Sequence, residues 1–285
     1  MIRLSLLLAA LLIAPTSGGA QAYAPNGLYY VQIGHGSRLT VVLHGGPGFH
    51  HDYLRPEWDR LTQVGRVLYY DQRGCGHSTK LGPFGWPQHV RDLDYLLTLA
   101  SPNRPVTIAG SSWGAWLALL YAYTYPNRVD RLVLSGLPPW PDSSWARGYR
   151  RLPDSTLAQL DSLVYGPGPS HRMQDSASVV ANTSLLRLPE GILRRLGPHC
   201  LDVSRAVFAS LLAVPAIDSL ANITVPTLLL RGTGYNAQGD GVPAVARIMP
   251  RATTVVVPTG GHDPWYKQPD ITFPVILTFL GADGS

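Results

Sequence analysis

Short apolar runs recur along the chain at residues 29–33, 39–43, 66–70, 106–109, 131–134, 227–230 and 253–257. Runs such as Val106-Thr107-Ile108-Ala109 and Thr227-Leu228-Leu229-Leu230 show no polar alternation. Strands of that kind are covered on both faces, as in a mostly parallel sheet with helices packed on either side. Between the runs, apolar periodicity predicts helices over residues 88–100, 113–125 and 270–280. Strand and helix therefore alternate, which predicts an α/β fold.

That rhythm breaks down over residues 136–220, a stretch of 85 residues rich in Pro, Gly, Ser and Arg. It carries short helical patterns at 156–164 and 203–212 and no strand pattern. A separate domain would ordinarily be longer, so the segment reads as a mainly helical cap inserted into a core formed by residues 23–135 and 221–285.

The first residues are Met1-Ile2-Arg3, followed by an apolar run over 4–14 and a small-residue stretch ending in Ala20-Gln21-Ala22. A basic start, a short apolar run and an A-x-A site match a secretory signal peptide. A membrane-spanning helix would need about 20 apolar residues. Residues 1–22 are therefore expected to be a leader, with a secreted or periplasmic destination and no membrane anchor after its removal. Taking them from 285 leaves 263 residues, enough for a substantial core. The formal charge of +5 falls to +4 once Arg3 leaves. Basic residues are spread along the chain, and Arg147, Arg150, Arg151, Arg194 and Arg195 read as a solvated helix face, so no nucleic-acid partner is expected. Cys75 and Cys200 could form one disulfide in an oxidising compartment, and the sequence leaves that open.

The run ending at Ala109 leads into Gly110-Ser111-Ser112-Trp113-Gly114 and then an apolar helix pattern. A G-x-S-x-G string between a buried strand and a helix is the setting of a nucleophile elbow, with Ser112 at its apex. A serine hydroxyl needs a base, and Gly260-Gly261-His262 follows the last predicted strand, which makes His262 the candidate. The orienting acid should follow the strand at 227–230, where Asp240 is the only carboxylate of the loop; Asp142 and Asp218 are the rivals. Asn236 in that role would hold the wrong tautomer of the histidine. Two backbone donors are needed for an oxyanion. The amide of Trp113 is one, and Gly46 in His44-Gly45-Gly46-Pro47-Gly48 is the other. His44 reads as a structural residue bracing that loop. His50-His51-Asp52 lacks a third ligand at suitable spacing, so no metal and no cofactor are expected.

Three motifs together, His44-Gly45-Gly46-Pro47-Gly48, Asp71-Gln72-Arg73-Gly74-Cys75-Gly76-His77-Ser78 and Gly110-Ser111-Ser112-Trp113-Gly114, resemble the proline iminopeptidase family of α/β-hydrolases. His51-Asp52-Tyr53-Leu54 and Gly261-His262-Asp263-Pro264-Trp265 extend the resemblance to roughly residues 26–136 and 224–281. It implies an α/β-hydrolase fold with a helical cap above the site, Ser112 as nucleophile, His262 as base, Gly46 and Trp113 as oxyanion donors, and Asp71 as a structural loop residue. It also implies that Cys75 belongs to the motif without calling for a disulfide.

Two departures stand out. The family binds a free N-terminal amine largely through glutamates of the cap, whereas this chain has only Glu57 and Glu190, leaving Asp154, Asp161, Asp175 and Asp202 as substitutes. The family's acid also lies nearer its strand than Asp240 does. The expectation is hydrolysis of an amide or ester through a Ser112 acyl-enzyme, with a short peptide or small molecule as substrate and release of N-terminal proline or a small hydrophobic residue. A carboxylesterase or lactonase is the alternative, and a non-catalytic binding protein on the same scaffold is a more distant one. Trp140, Trp145 and Tyr149 stand where they could line a pocket. Oligomeric state is left open.

Overall fold

The computed structural model describes residues 20–141, 195, 200–234 and 240–281. The seven apolar runs become β2 (Tyr29–Ile33), β3 (Leu39–Leu43), β4 (Arg66–Tyr70), β5 (Val106–Ser111), β6 (Val129–Ser135), β7 (Thr227–Gly232) and β8 (Ala252–Val257), and β1 (Ala20–Tyr23) completes a sheet of eight strands among the described residues. Their order is β1-β2-β4-β3-β5-β6-β7-β8. The β1–β2 and β2–β4 pairs are antiparallel and all others are parallel.

Successive side chains of the central strands feed two separate cores, which is why their sequences lack polar alternation. Val41, Leu68, Ile108 and Leu132 belong to one core, with α1 (Trp86–Ala100) and α2 (Trp113–Thr124). Val42, Tyr69, Ala109 and Val133 belong to the other, under the 3-10 turns at His51–Leu54 and Glu57–Gln63 and the last helix. Among the described residues the remaining α-helices are α3 (Leu201–Ser210), α4 (Val242–Ile248), α5 (Pro264–Lys267) and α6 (Pro269–Gly281). No helix among the described residues is long and apolar enough to cross a membrane.

The expected α/β-hydrolase architecture is present, with helices on both faces of a mostly parallel sheet. Among the described residues of the full-length chain, Ala20, Gln21 and Ala22, assigned above to the leader, pair with Gln32, Val31 and Tyr30. Small residues that suit a cleavage site also extend readily along a sheet edge. The predicted cap falls mostly outside the described residues, and with it the helix at 156–164, Asp142, Trp145, Tyr149, Asp154, Asp161, Asp175 and Glu190. Asn236 lies outside them as well.

The strand register lines up the chain segments that carry the candidate chemistry. Leu43, just before His44, lies opposite Gly110, and Ser111 lies opposite Ser135. Gly232 and Val257 pair at the ends of β7 and β8. All of these are carboxyl ends of parallel strands, where open α/β sheets present their loops to ligands.

Candidate active site

Ser112 follows β5 and caps α2 with φ 58° and ψ −121°. A non-glycine residue with positive φ is strained and is held only by its surroundings. Two glycines make the turn feasible: a Cβ on Gly110 would lie 2.3 Å from the Gly114 carbonyl oxygen, and one on Gly114 the same 2.3 Å from the Leu43 carbonyl oxygen. The Ser112 amide donates to the Ser135 carbonyl at 3.0 Å, fixing the turn to the end of β6. Trp113 opens α2, so its amide is among the helix N–H groups that have no intrahelical acceptor and point where negative charge is favoured.

His262 is buried on the same strand end. A Cβ on Gly136, the residue after Ser135, would lie 3.1 Å from both Nδ1 and Cε1 of its ring. The residues on either side of the candidate pair are pinned too, because the Ser111 hydroxyl donates to Asp263 Oδ1 at 3.3 Å. Trp265 Nε1 donates to the same oxygen at 3.1 Å. The elbow and the histidine loop are thereby locked together.

The glycine-rich loop after β3 closes on Ser112. A Cβ on Gly45 would lie 3.1 Å from Ser112 Cβ, and the Gly45 amide donates to the buried Tyr53 hydroxyl at 2.6 Å. Burial, followed by the charge of Asp263, pushes the Tyr53 pKa up, so the phenol stays neutral. Behind the loop runs a relay of hydrogen bonds. Trp113 Nε1 donates to Gln72 Oε1 at 2.7 Å, and Gln72 Nε2 donates to the His44 carbonyl at 2.9 Å. The Gln72 amide donates to His44 Nε2 at 3.0 Å, which leaves His44 Nδ1–H to donate to the Gly45 carbonyl at 2.9 Å. Burial lowers the His44 pKa to about 3, so this ring is a neutral brace, as its position in the motif implied.

Asp71 is likewise structural. Its Oδ1 accepts from the His51 amide at 3.0 Å and from His51 Nδ1 at 2.7 Å, and its Oδ2 accepts from the His77 amide at 2.7 Å. Burial alone would raise its pKa, but the hydrogen bond and charge of His51 with the two amides outweigh it and hold the carboxyl well below the usual range.

Asp240 shares the walls of one small cavity with Gly136 and Gly261, the residues that neighbour His262 in space and in sequence. Its side chain is 9 % exposed. Oδ2 accepts from Arg231 Nε at 2.5 Å and Oδ1 from the Val242 amide at 3.0 Å. Asp218 is exposed on the turn at Ile217–Asn222. Trp140 proves to be a packing residue, 7 % exposed with its indole donating to the Pro215 carbonyl. The structure thus gathers Ser112, Trp113, Gly46 and His262 at one end of the sheet, with Asp240 beside the histidine loop. Gln72, Tyr53 and Asp263 stand in motifs quoted from the sequence but were given no role there; nothing local marks Gln72, two residues beyond β4, as the bridge between Trp113 and His44.

A model of the α/β-hydrolase fold matches residues 40–269. The chain belongs to the α/β-hydrolase family. This hydrolase is 26% identical over 269 residues to a proline iminopeptidase of Saccharolobus solfataricus, covering 86% of this chain and 85% of that one. Among solved structures, a thermophilic esterase from Thermogutta terrifontis superimposes with a TM-score of 0.71 at 23% identity, covering 92% of this chain and 97% of the esterase. A proline iminopeptidase from Mycobacterium smegmatis superimposes with a TM-score of 0.66 at 20% identity, covering 92% and 98%. At those identities the two superpositions speak to the fold alone.

Proposed function

We propose that this α/β-hydrolase is an exported serine hydrolase that cleaves an amide or ester through an acyl-enzyme on Ser112. The observation that carries the reading is the strained Ser112 backbone at the head of α2, beneath the glycine loop and beside His262. His262 takes the Ser112 proton as Oγ attacks the substrate carbonyl, then returns it to the leaving group; water repeats the sequence to release the acid. Negative charge on the tetrahedral oxygen is taken up by the amides of Trp113 and Gly46. Gly45 is not assigned that role because its amide already serves Tyr53. Asp240 is assigned as the acid that orients His262, supported by its near burial and its cavity shared with Gly136 and Gly261. Its hydrogen bonds from Arg231 Nε and the Val242 amide hold the carboxylate in place.

The relatives named proline iminopeptidase support release of N-terminal proline or a small hydrophobic residue. A specific observation favours the esterase alternative. Glu57, one of only two glutamates, is held by Arg195 through both oxygens, at 2.9 and 3.1 Å, and so is not available to bind a substrate ammonium. The deciding assay compares an N-terminal prolyl chromogenic amide with a short-chain aryl ester, using the mature protein and Ser112→Ala. Serine-dependent amide cleavage establishes the iminopeptidase reading, and ester cleavage alone establishes an esterase. Turnover that survives Ser112→Ala removes the serine mechanism.

A further inference from the structure

Cys75 and Cys200 are far apart in sequence, one in the loop after β4 and the other just before α3. The fold presses those two segments together. A Cβ on Gly74 would lie 2.2 Å from Val203 Cγ2, and Cys200 packs on the core cluster that contains Cys75. Each cysteine is the other's foremost electrostatic neighbour, Cys75 lowering the pKa of Cys200 and Cys200 raising that of Cys75. The Lys80 ammonium is fixed beside them by the Gly74 and Gly76 carbonyls, at 3.2 and 2.7 Å. The segment that carries Cys200 also grips the glycine loop: the Cys200 amide donates to the Gly48 carbonyl at 2.8 Å, and the Ser204 hydroxyl donates to the Pro47 carbonyl at 3.1 Å.

We infer that Cys75 and Cys200 form a disulfide that fastens the start of α3 to the loop after β4 and, through the Gly48 and Pro47 carbonyls, steadies the glycine loop beside Ser112. A buried cysteine is ordinarily a small apolar side chain with no further role. Here a second sulfur meets it, and a cation stands near both. Cys200 is half-buried and Cys75 fully buried, which sets the order of events. Cys75, followed by Lys80, lowers the Cys200 pKa, whereas Cys200 and burial raise that of Cys75.

The Cys200 thiolate attacks one sulfur of an external disulfide, such as oxidised glutathione. The external S–S bond breaks, its other half leaves as a thiolate that takes up a proton, and a mixed disulfide remains on Cys200. Cys75 then loses its proton and attacks Cys200 Sγ, displacing the second external thiol. The pair gives up two electrons and two protons, and the oxidant departs as two thiols. The inference rests on the exported reading for its oxidising surroundings and on nothing in the hydrolytic mechanism.

The test equilibrates the purified mature protein with oxidised glutathione, alkylates it with iodoacetamide without reduction, and maps the digest by mass spectrometry. The expected result is a linked pair of peptides containing Cys75 and Cys200, lighter than their sum by two hydrogens, with neither cysteine alkylated. Reduction should restore both alkylations and lower the thermal midpoint by about 5–10 °C. Cys200→Ser, at the more exposed position, should show no reductant-dependent shift. Alkylation of both cysteines after full equilibration would overturn the inference, as would glutathione that stays on Cys200. Neither readout uses hydrolysis, so an inactive protein with an intact crosslink would count against the serine mechanism and not against the disulfide.

Discussion

Gln72→Leu should separate the brace behind the glycine loop from ordinary core packing. The substitution removes the acceptor for Trp113 Nε1 and the donor to the His44 carbonyl, leaving two buried groups without partners. Each such group costs about 1–3 kcal/mol, so the variant should lose roughly 2–6 kcal/mol of stability. For a chain of this size that lowers the thermal midpoint by about 5–15 °C and leaves it folded at room temperature. The catalytic consequence follows from where the brace ends: one end is Trp113, whose amide is an assigned oxyanion donor, and the other is the loop that carries Gly46. Misplacement of a donor by about 1 Å can cost a hundredfold in rate. The expected result with a short-chain aryl ester is a kcat lower by about 10–100-fold with KM within about threefold, since only the transition state is affected. Trp113→Phe removes the same bond from its other end, so the double variant should be less impaired than the product of the two single effects predicts, by a coupling of about 1–3 kcal/mol. A lower midpoint with unchanged kcat would refute the reasoning and leave Gln72 as a packing residue.

Other expectations follow from the same geometry. Asp240→Asn should lower kcat by about three to four orders of magnitude by presenting the wrong partner to His262; turnover near that of the parent would move the acid elsewhere. His89 lies edge-on to Trp113 and is kept neutral by burial, its pKa lowered from 6.5 to about 4. The unfolded chain therefore binds a proton that the folded chain refuses. This group's contribution to stability is complete above about pH 6.5 and is lost as the pH falls toward about 4. His89→Phe should accordingly lose less of its thermal midpoint than the parent between those values, and equal losses in a melting series would show that His89 does not set the acid limit. Export with cleavage after Ala22 predicts a mature protein beginning at Tyr23, read from its intact mass; an N-terminus at Met1 would contradict the leader.

The parts legible in the sequence were those with one physical explanation. All five residues of β3 are buried, and an apolar run between turn signals has few other uses in a chain of this composition. The elbow could be read because only a strand, two glycines and a helix produce that spacing of small residues around Ser112. β1 was not legible, since Ala20-Gln21-Ala22-Tyr23 is only four residues long, carries no large apolar side chain facing inward and matches a cleavage site equally well. α4 was hidden by its length of seven residues and the proline at its start. Gln72 and Tyr53 escaped for a different reason: their value lies in hydrogen bonds to His44, Trp113 and Gly45, and those partners meet only in the folded sheet. Asp263 was seen as the residue after the histidine, but its tie to Ser111 spans the whole core.

The central claim is that Ser112 is the group acylated during turnover. An aryl fluorophosphonate, which reacts with an activated serine and stays bound, is applied to the mature protein, and the modified peptide is located by mass spectrometry. The account predicts a single adduct on the peptide containing Ser112, loss of esterase or amidase activity in step with its formation, and no adduct in Ser112→Ala or in His262→Ala. An adduct on another residue, or full activity in a protein whose Ser112 is completely modified, would contradict it.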